Sequence, residues 1–220
     1  MKAVFCRFLA LAFCGAVLGA PALYAQVTAT APQGPSEYAQ RIDVSGGAFY
    51  THFNPGQGLG IHAINLLGGE GSATLWLRPL WGFEASAREA NGTMQIPATQ
   101  VNGVQLPTTA PMREYLFLFG PSFRFYRRPR LSLGMHTLVG AAYGSFSSGF
   151  PSGVQPESVG IYNDKLTMGL AVGASADYNL NAQWSLRFVT DWQPTHYGFG
   201  WQNESADSVG IVYKFGSLHR

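Results

Sequence analysis

The sequence predicts an all-β fold, an eight-stranded antiparallel transmembrane β-barrel. Three observations predict it. Apolar and polar residues alternate with period two from Ile42 almost to the end of the chain, short and long connections alternate, and a secretory leader precedes the alternating part. After residue 25 no apolar run reaches the roughly 18 residues that a spanning helix needs.

Residues 1–25 have the organisation of a secretory signal peptide. Lys2 and Arg7 provide a positive start, an apolar stretch follows, and small residues then precede two candidate cleavage points, after Ala22 or after Ala25. A single membrane anchor is the alternative, but the apolar stretch is short and small residues follow it at once. We therefore predict an exported protein.

The mature chain has no cysteine, because Cys6 and Cys14 both lie in the leader. Disulfides, which hold many small exported domains together, are thus absent, and a closed barrel that pairs its backbone groups is another way to stabilise such a chain. Residues 26–41 are predicted to be a flexible lead-in, residues 42–216 the barrel, and residues 217–220 a short tail.

The alternating segments predict eight strands. The fourth is the clearest, because Phe117 and Phe119 share one parity with further aromatic residues while Arg124 lies on the other. The predicted strands are 42–53, 64–77, 81–90, 113–126, 131–146, 164–178, 184–193 and 204–216. The short connections are 78–80, 126–130 and 179–183, and the long ones are 54–63, 91–112, 147–163 and 194–203. Short turns on one side and long loops on the other are typical of outer-membrane barrels.

The apolar parity is rich in aromatic residues and almost free of charge, whereas the other parity is small and polar with isolated charges. A soluble sandwich or lipocalin-like barrel, the alternative, would carry Lys and Glu outside. We therefore expect the apolar parity to face lipid and the polar parity to face the lumen. Two aromatic belts are expected at the membrane interfaces, one of Trp81, Phe125, Tyr178, Trp184 and Phe215 and the other of Tyr50, Tyr115, Tyr143 and Trp192.

One tryptophan departs from this pattern. Trp76 has lumen parity, so either it fills the lumen or a β-bulge reverses the register of its strand.

A charge network is predicted to close the lumen. Its members are Asp43, Glu84, Arg124, Asp177, Arg187 and Lys214, all of lumen parity. Asp177 is expected to approach Arg187, and Lys214 is expected to approach Asp43 because the last strand must pair with the first. Glu84 and Arg124 are expected to approach on the opposite wall. The interior of an eight-stranded barrel is just wide enough for side chains to fill, so these pairs predict a plugged lumen. The alternative is a wet lumen in which each charge is hydrated separately.

The last strand carries a recognisable signal. Residues 208–215, SVGIVYKF, resemble the C-terminal signal of outer-membrane proteins, polar-x-Gly-x-x-aromatic-x-aromatic, with Gly210, Tyr213 and Phe215 at its defining positions. With four loops and three turns, residues 42–216 resemble the small barrels of the OmpA and OmpX type, without a peptidoglycan-binding domain. Members often end at the last aromatic residue, whereas five residues follow it here.

The resemblance implies a bacterial outer-membrane protein. Its expected partners are outer-membrane lipids, the barrel assembly machinery that reads the C-terminal signal, and an extracellular ligand at the loops. We predict a structural or interaction-type barrel that displays its loops, for membrane integrity or adhesion. A lipid-modifying enzyme and a narrow pore are the alternatives.

The chain offers little enzymatic chemistry, and we predict no enzyme and no cofactor. His196, near Asp191 and Glu204, is the best catalytic candidate, but lipid A deacylases of this fold resemble a His-x-Ser pattern that Tyr197-Gly198 does not supply. No metal site is predicted, because His52 and His62 lack cysteine or carboxylate partners.

The charge of the chain does not favour nucleic acid as a partner. The formal net charge is +2, and the basic residues of the leader contribute to it, so the mature chain is near neutral. Arg127, Arg128 and Arg130 cluster in one short turn. They could contact phosphates or acidic partners, although a solvated turn is the simpler interpretation.

Overall fold

A computed structural model describes residues 38–57, 60–96, 98 and 100–218. The predicted signal peptide, most of the lead-in and the last two residues of the tail lie outside this part of the chain. The strands are β1 (Ile42–Phe53), β2 (Ile64–Arg78), β3 (Trp81–Gln95), β4 (Gln100–Val101), β5 (Val104–Gln105), β6 (Thr109–Arg127), β7 (Leu131–Ser145), β8 (Lys165–Asn179), β9 (Trp184–Trp192) and β10 (Ser205–Phe215).

Eight of the strands form a closed barrel, which confirms the predicted fold. Around the wall they follow the order β1-β2-β3-β6-β7-β8-β9-β10, and every neighbouring pair is antiparallel, including the β1–β10 seam. The short turns β2–β3, β6–β7 and β8–β9 gather at one end, which we call the turn end. The long connections gather at the other end, the loop end.

Most strand ends lie within two residues of their predicted positions, but β3 and β6 are longer than expected. Residues 91–112 were predicted to be a loop, yet β3 continues to Gln95 and β6 begins at Thr109, because the two strands stay paired there. Pro111 lacks an N–H donor, which a central strand would not tolerate. At Pro111, however, β6 pairs only with β3, because its pairing with β7 starts at Arg113. The β4–β5 hairpin joins the two extended ends.

The outer wall is apolar, as lipid requires. Phe117 and Phe119 expose 64% and 63% of their surface, while their neighbours Leu116 and Leu118 are buried in the lumen. The residues predicted to form the two aromatic belts have exposed or half-exposed side chains on this wall, which fits that role. In the described residues no helix is long and apolar enough to cross a bilayer.

Trp76 fills the lumen, the first of the two expected outcomes. It is 3% exposed, and the Arg124 guanidinium lies 3.9 Å from its ring centre. The β2–β3 register shifts between Trp76 and Arg78. The irregularity therefore begins after Trp76 and does not change the inward direction of its side chain.

The last residues of the predicted lead-in pack against the turn end. The Tyr38 hydroxyl donates to the Arg128 carbonyl at 2.5 Å, and the Gln40 side chain donates to the Ala182 carbonyl at 2.9 Å. The Leu218 N–H donates to the Ala39 carbonyl at 2.6 Å. Residues 38–41 therefore belong to the closed end of the barrel.

Candidate functional site

The half of the lumen near the turn end is filled by buried ion pairs. All six residues predicted for the network are buried, at 8% exposure or less. Asp177 and Arg187 face each other across β8 and β9 and form a two-pronged pair, Nε–Oδ1 at 2.7 Å and Nη2–Oδ2 at 2.9 Å. Asp43 accepts from Arg124 at 2.8 Å and lies 3.7 Å from Arg187. The structure thus brings four of the six together.

Two predicted pairings have other partners. Lys214 is opposite Asp43 in the β1–β10 register, but its ammonium donates to the Asn179 side chain at 2.6 Å. Glu84 was expected beside Arg124. It does not lie there, because its register partner in β6 is Gly120, which is four residues nearer the loop end than Arg124. Arg124 instead reaches across the lumen to Asp43.

A second layer of charges lies nearer the loop end than the first, and of its members only Glu84 belonged to the predicted network. Arg88 donates to Asp191 at 2.5 Å and to Gln193 at 2.7 Å. Both ring nitrogens of His136 face carboxylates, Nε2 to Asp191 at 2.9 Å and Nδ1 to Glu84 at 3.4 Å, an arrangement in which a doubly protonated ring would donate twice. The sequence carried one signal for this layer, because Arg88, His136 and Asp191 all have lumen parity.

The half of the lumen near the loop end is apolar, contrary to the prediction of a polar interior. Its core contains Phe49, Leu66, Leu116, Leu118, Leu138, Met94 and Met112. Four aromatic rings close it above. The Phe146 ring packs edge-to-face on Tyr197 and on Tyr162, with ring centres 5.3 and 5.9 Å apart. The ring centre of Phe53 lies 5.8 Å from that of Tyr197. The parity rule identified the inward positions correctly, but these positions hold apolar side chains at this height.

Two glutamates are buried in this apolar half. Glu114 accepts from the Tyr197 hydroxyl at 3.1 Å, and its other oxygen has no hydrogen-bond partner among the described residues. Glu204 accepts from Thr195, and from Gln193 at 3.3 Å. Burial raises the pKa of Glu204, and the nearby Glu114 carboxylate raises it further. The same two causes raise the pKa of Tyr197, which lies in the same connection between β9 and β10.

The long connections at the loop end are held together by hydrogen bonds. We call residues 54–63 loop 1, residues 146–164 loop 3 and residues 193–204 loop 4. Loop 1 meets loop 3 through the Gly56–Ile161 bridge and the bond from the Gln57 N–H to the Gly160 carbonyl at 3.0 Å. In loop 4, the Gln202 side chain accepts from the Tyr197 N–H at 2.7 Å.

Asp164 fixes the base of loop 3. It accepts from the backbone N–H groups of Phe146 and Ser147 at 2.5 and 2.7 Å, and from the Ser147 hydroxyl at 2.6 Å. Partial burial acts to raise the pKa of Asp164, but the hydrogen bonds from Ser147 and Phe146 outweigh it and lower that pKa.

A pocket of about 490 Å³ opens between loops 1, 3 and 4. Its lining includes the aromatic residues Tyr162, Tyr197 and Phe199 and the polar residues Gln57, Glu157, Asn163, Asp164 and Lys165. Phe199 is 97% exposed at the rim, between two glycines. The Asn163 side chain donates to Glu157 at 2.9 Å, and Lys165 donates to the Tyr197 carbonyl at 3.3 Å. The polar side of the pocket is thus already ordered.

The remaining predicted residues have the following positions. The His196 ring packs edge-to-face on Trp201 at 5.3 Å, while Asp191 binds Arg88 and His136, and Glu204 binds Thr195. The candidate catalytic residues thus have different partners from those a catalytic triad requires.

The three residues of the predicted assembly signal lie on β10. Gly210 lies opposite Gly47 in the closing seam, where a Cβ on Gly47 would come within 2.1 Å of the Val209 carbonyl oxygen. Tyr213 stacks on Phe215 at 5.7 Å. The seam therefore requires a glycine at position 47.

The comparisons with known proteins agree on the fold. No protein-family model and no curated protein matches the sequence. The structure resembles Neisserial surface protein A, with a TM-score of 0.52, 11% identity, and coverage of 79% of this chain and 97% of that one. It also resembles the outer membrane protein OprG of Pseudomonas aeruginosa, with a TM-score of 0.50, 14% identity, and coverage of 81% and 97%.

A third similar structure is Ail, the attachment invasion locus protein of Yersinia pestis. Its TM-score is 0.48 at 18% identity, with coverage of 80% of this chain and 99% of that one. The resemblance to Neisserial surface protein A and OprG, at identities this low, establishes the fold alone, which is that of small outer-membrane barrels. The closer resemblance to the OmpA and OmpX type stays a prediction.

Proposed function

We propose that this chain is a bacterial outer-membrane barrel that acts by binding a ligand at its loop end. Its apolar outer wall and its similarity in fold to solved outer-membrane barrels support this location. The turn end then faces the periplasm and the loop end faces the exterior, because outer-membrane barrels have short periplasmic turns and longer external loops.

The filled lumen argues against conduction as the main role. Ion pairs fill its periplasmic half, and apolar and aromatic side chains fill its external half. Within the described residues, the two lumen cavities beside these charges hold only about 10 Å³ each. Room for solute is instead found above the barrel, between the loops.

The observation that carries the proposal is the pocket between loops 1, 3 and 4. Hydrogen bonds already order these loops, so a ligand would bind without a large entropic cost of ordering. Aromatic rings beside amide and carboxylate groups suit a ligand that combines an apolar face with hydroxyl groups. A sugar unit of a surface glycan has this chemistry.

A panel of immobilised neutral, acidic and amino glycans tests the proposal with the barrel refolded in detergent. We expect binding to a subset of the panel, with a loss of at least about tenfold in affinity for Phe199→Ala, since an exposed aromatic residue at a pocket rim is a typical binding hot spot. The control is Phe150→Ala, the same truncation at a loop 3 residue that packs against the barrel core and lies outside the pocket lining. No binding to any glycan, or equal losses in both variants, would contradict the proposal.

An enzyme acting on lipid is the competing function. If His196 were catalytic, hydrolysis or acyl transfer on a lipid substrate should be lost in His196→Ala, and glycan binding should be unaffected. We expect no such activity.

A further inference from the structure

The two ends of the barrel differ in exposed charge. At the turn end the exposed charged side chains are Arg41, Arg78, Arg127, Arg128 and Arg130, with no exposed carboxylate among the described residues there. We call these five residues the arginine arc. At the loop end the exposed charges are mixed and include Glu89, Arg113, Glu157, Asp164 and Lys165. Among the described residues, the exposed charges of the turn end are therefore all positive.

The arginines occupy one continuous side of the wall. Arg41 precedes β1, Arg78 ends β2, and the other three lie at the β6–β7 turn, so the arc follows β1, β2, β3, β6 and β7. Backbone bonds tie these ends together, from the Trp76 N–H to the Arg41 carbonyl and from the Arg124 N–H to the Leu80 carbonyl, both at 2.8 Å.

Among the described residues, the other side of the same rim carries no charged side chain exposed to solvent. The β8–β9 turn consists of Leu180, Asn181, Ala182 and Gln183, and Gly216, Ser217 and Leu218 follow β10. The rim thus contains its own neutral reference, at the same depth as the arc.

The depth of the arc corresponds to that of lipid headgroups. Lipid-facing aromatic residues such as Phe125 and Trp81 lie beside the same turns, and aromatic residues of this kind sit at the membrane interface. The Arg128 guanidinium lies 6.0 Å from the ring centre of Tyr126, which is 39% exposed on the outer wall. Arg128 is thereby held next to the lipid-facing surface.

We propose that the arginine arc binds the phosphate groups of anionic phospholipids in the leaflet at the turn end. A guanidinium donates two parallel hydrogen bonds to a phosphate, and clustered basic residues next to a membrane attract anionic lipid. Lipid is favoured over a soluble acidic protein because Arg78 and Arg128 border the outer wall, Arg78 opposite Trp81 in the β2–β3 register and Arg128 beside Tyr126. The barrel then gathers anionic lipid on one side only.

Tryptophan quenching tests this inference, because Trp81 lies on the outer wall next to the arc and Trp184 lies on the outer wall next to the neutral side. The chain is refolded into phosphatidylcholine vesicles that contain brominated phosphatidylglycerol or, separately, brominated phosphatidylcholine at the same mole fraction. The signal of each tryptophan is obtained by difference, using Trp81→Phe and Trp184→Phe. We expect brominated phosphatidylglycerol to quench Trp81 at least twofold more than brominated phosphatidylcholine does, and both lipids to quench Trp184 equally.

Variants then assign the effect to the arc. Arg78→Gln with Arg128→Gln and Arg130→Gln should abolish the excess quenching of Trp81, while Arg113→Gln at the loop end should preserve it. If the triple variant does not fold, the salt dependence of the wild type decides. The excess quenching of Trp81 must then decline from 50 mM salt, where the Debye length is about 14 Å, to 500 mM salt, where it is about 4 Å. Equal quenching of Trp81 by the two lipids would overturn the proposal and leave the arc to a soluble acidic partner.

Discussion

The two halves of the lumen are closed by different chemistry within one wall. In the half near the turn end, periplasmic in the proposed topology, carboxylates meet guanidinium groups in direct pairs such as Asp177–Arg187 and Asp43–Arg124. In the half near the loop end, external in the proposed topology, apolar and aromatic side chains pack together. Glu114 and Glu204 are buried among them, and neither forms a salt bridge with another described residue. An eight-stranded barrel can thus be filled by ion pairs or by apolar packing, and the inward residues at each height decide which.

The largest effect is expected from breaking an ion pair in the periplasmic half. Arg187→Met would leave Asp177 and Asp43 without this partner, and unpairing a buried charge typically costs about 3–5 kcal/mol. Urea titration of the barrel in lipid vesicles measures the free energy of unfolding. The double variant Asp177→Leu with Arg187→Met removes both charges and should cost less than the single change. A larger cost for the double variant would contradict the assigned pairing.

A somewhat smaller effect is expected from opening a cavity in the external half. Leu116 is fully buried in the lumen, and Leu116→Ala should lower the free energy of unfolding by about 3 kcal/mol, within the usual range for such truncations. Leu166→Ala is the matched control, because Leu166 is 69% exposed on the outer wall. Similar costs for both would mean that the external half is loosely packed.

The buried glutamates predict a pH dependence of stability. Because burial and the Glu114 carboxylate raise the pKa of Glu204 above its ordinary value of 4.5, the folded state keeps a proton that the unfolded chain releases. This contribution is therefore present at pH 4.5 and below, and it is lost as the pH rises towards the folded-state pKa. Glu204→Gln should stabilise the barrel more at pH 8 than at pH 4.5.

Urea titrations at the two pH values measure this difference. Glu89→Gln provides the control for the loss of a glutamate charge, because Glu89 is exposed and lies outside this buried cluster. A Glu204→Gln variant that loses stability at pH 8 would show that the ionised carboxylate is favourable in this half.

The smallest effect is expected in ion conduction, because the two halves close the lumen in series. Planar-bilayer recordings of the wild type should show little or no steady conductance. Phe146→Ala, which loosens only the external half, should leave that baseline almost unchanged, since the ion pairs below it persist. A large steady conductance of the wild type would revive the narrow-pore alternative.

The sequence allowed the strands to be predicted because alternation and turn residues are local signals. The Asp177–Arg187 pair was predictable for a related reason, since a short turn places these residues opposite each other. The partner of Arg124 was not, because a contact across the lumen depends on the stagger and diameter of the barrel. The pocket was also beyond sequence reasoning, since it depends on how loops 1, 3 and 4 fold onto one another.

The long β3–β6 hairpin determines how far the protein extends beyond the bilayer at its loop end. The 19 residues of β6, at roughly 3.3 Å each and tilted by about 40°, rise about 45–50 Å, nearly twice a lipid band of about 25 Å. The excess lies at the loop end, where the β4–β5 hairpin turns through Asn102 and Gly103, both with positive φ. An epitope tag inserted between these two residues would be displayed well above the bilayer and would leave the hydrogen bonds of the barrel wall intact.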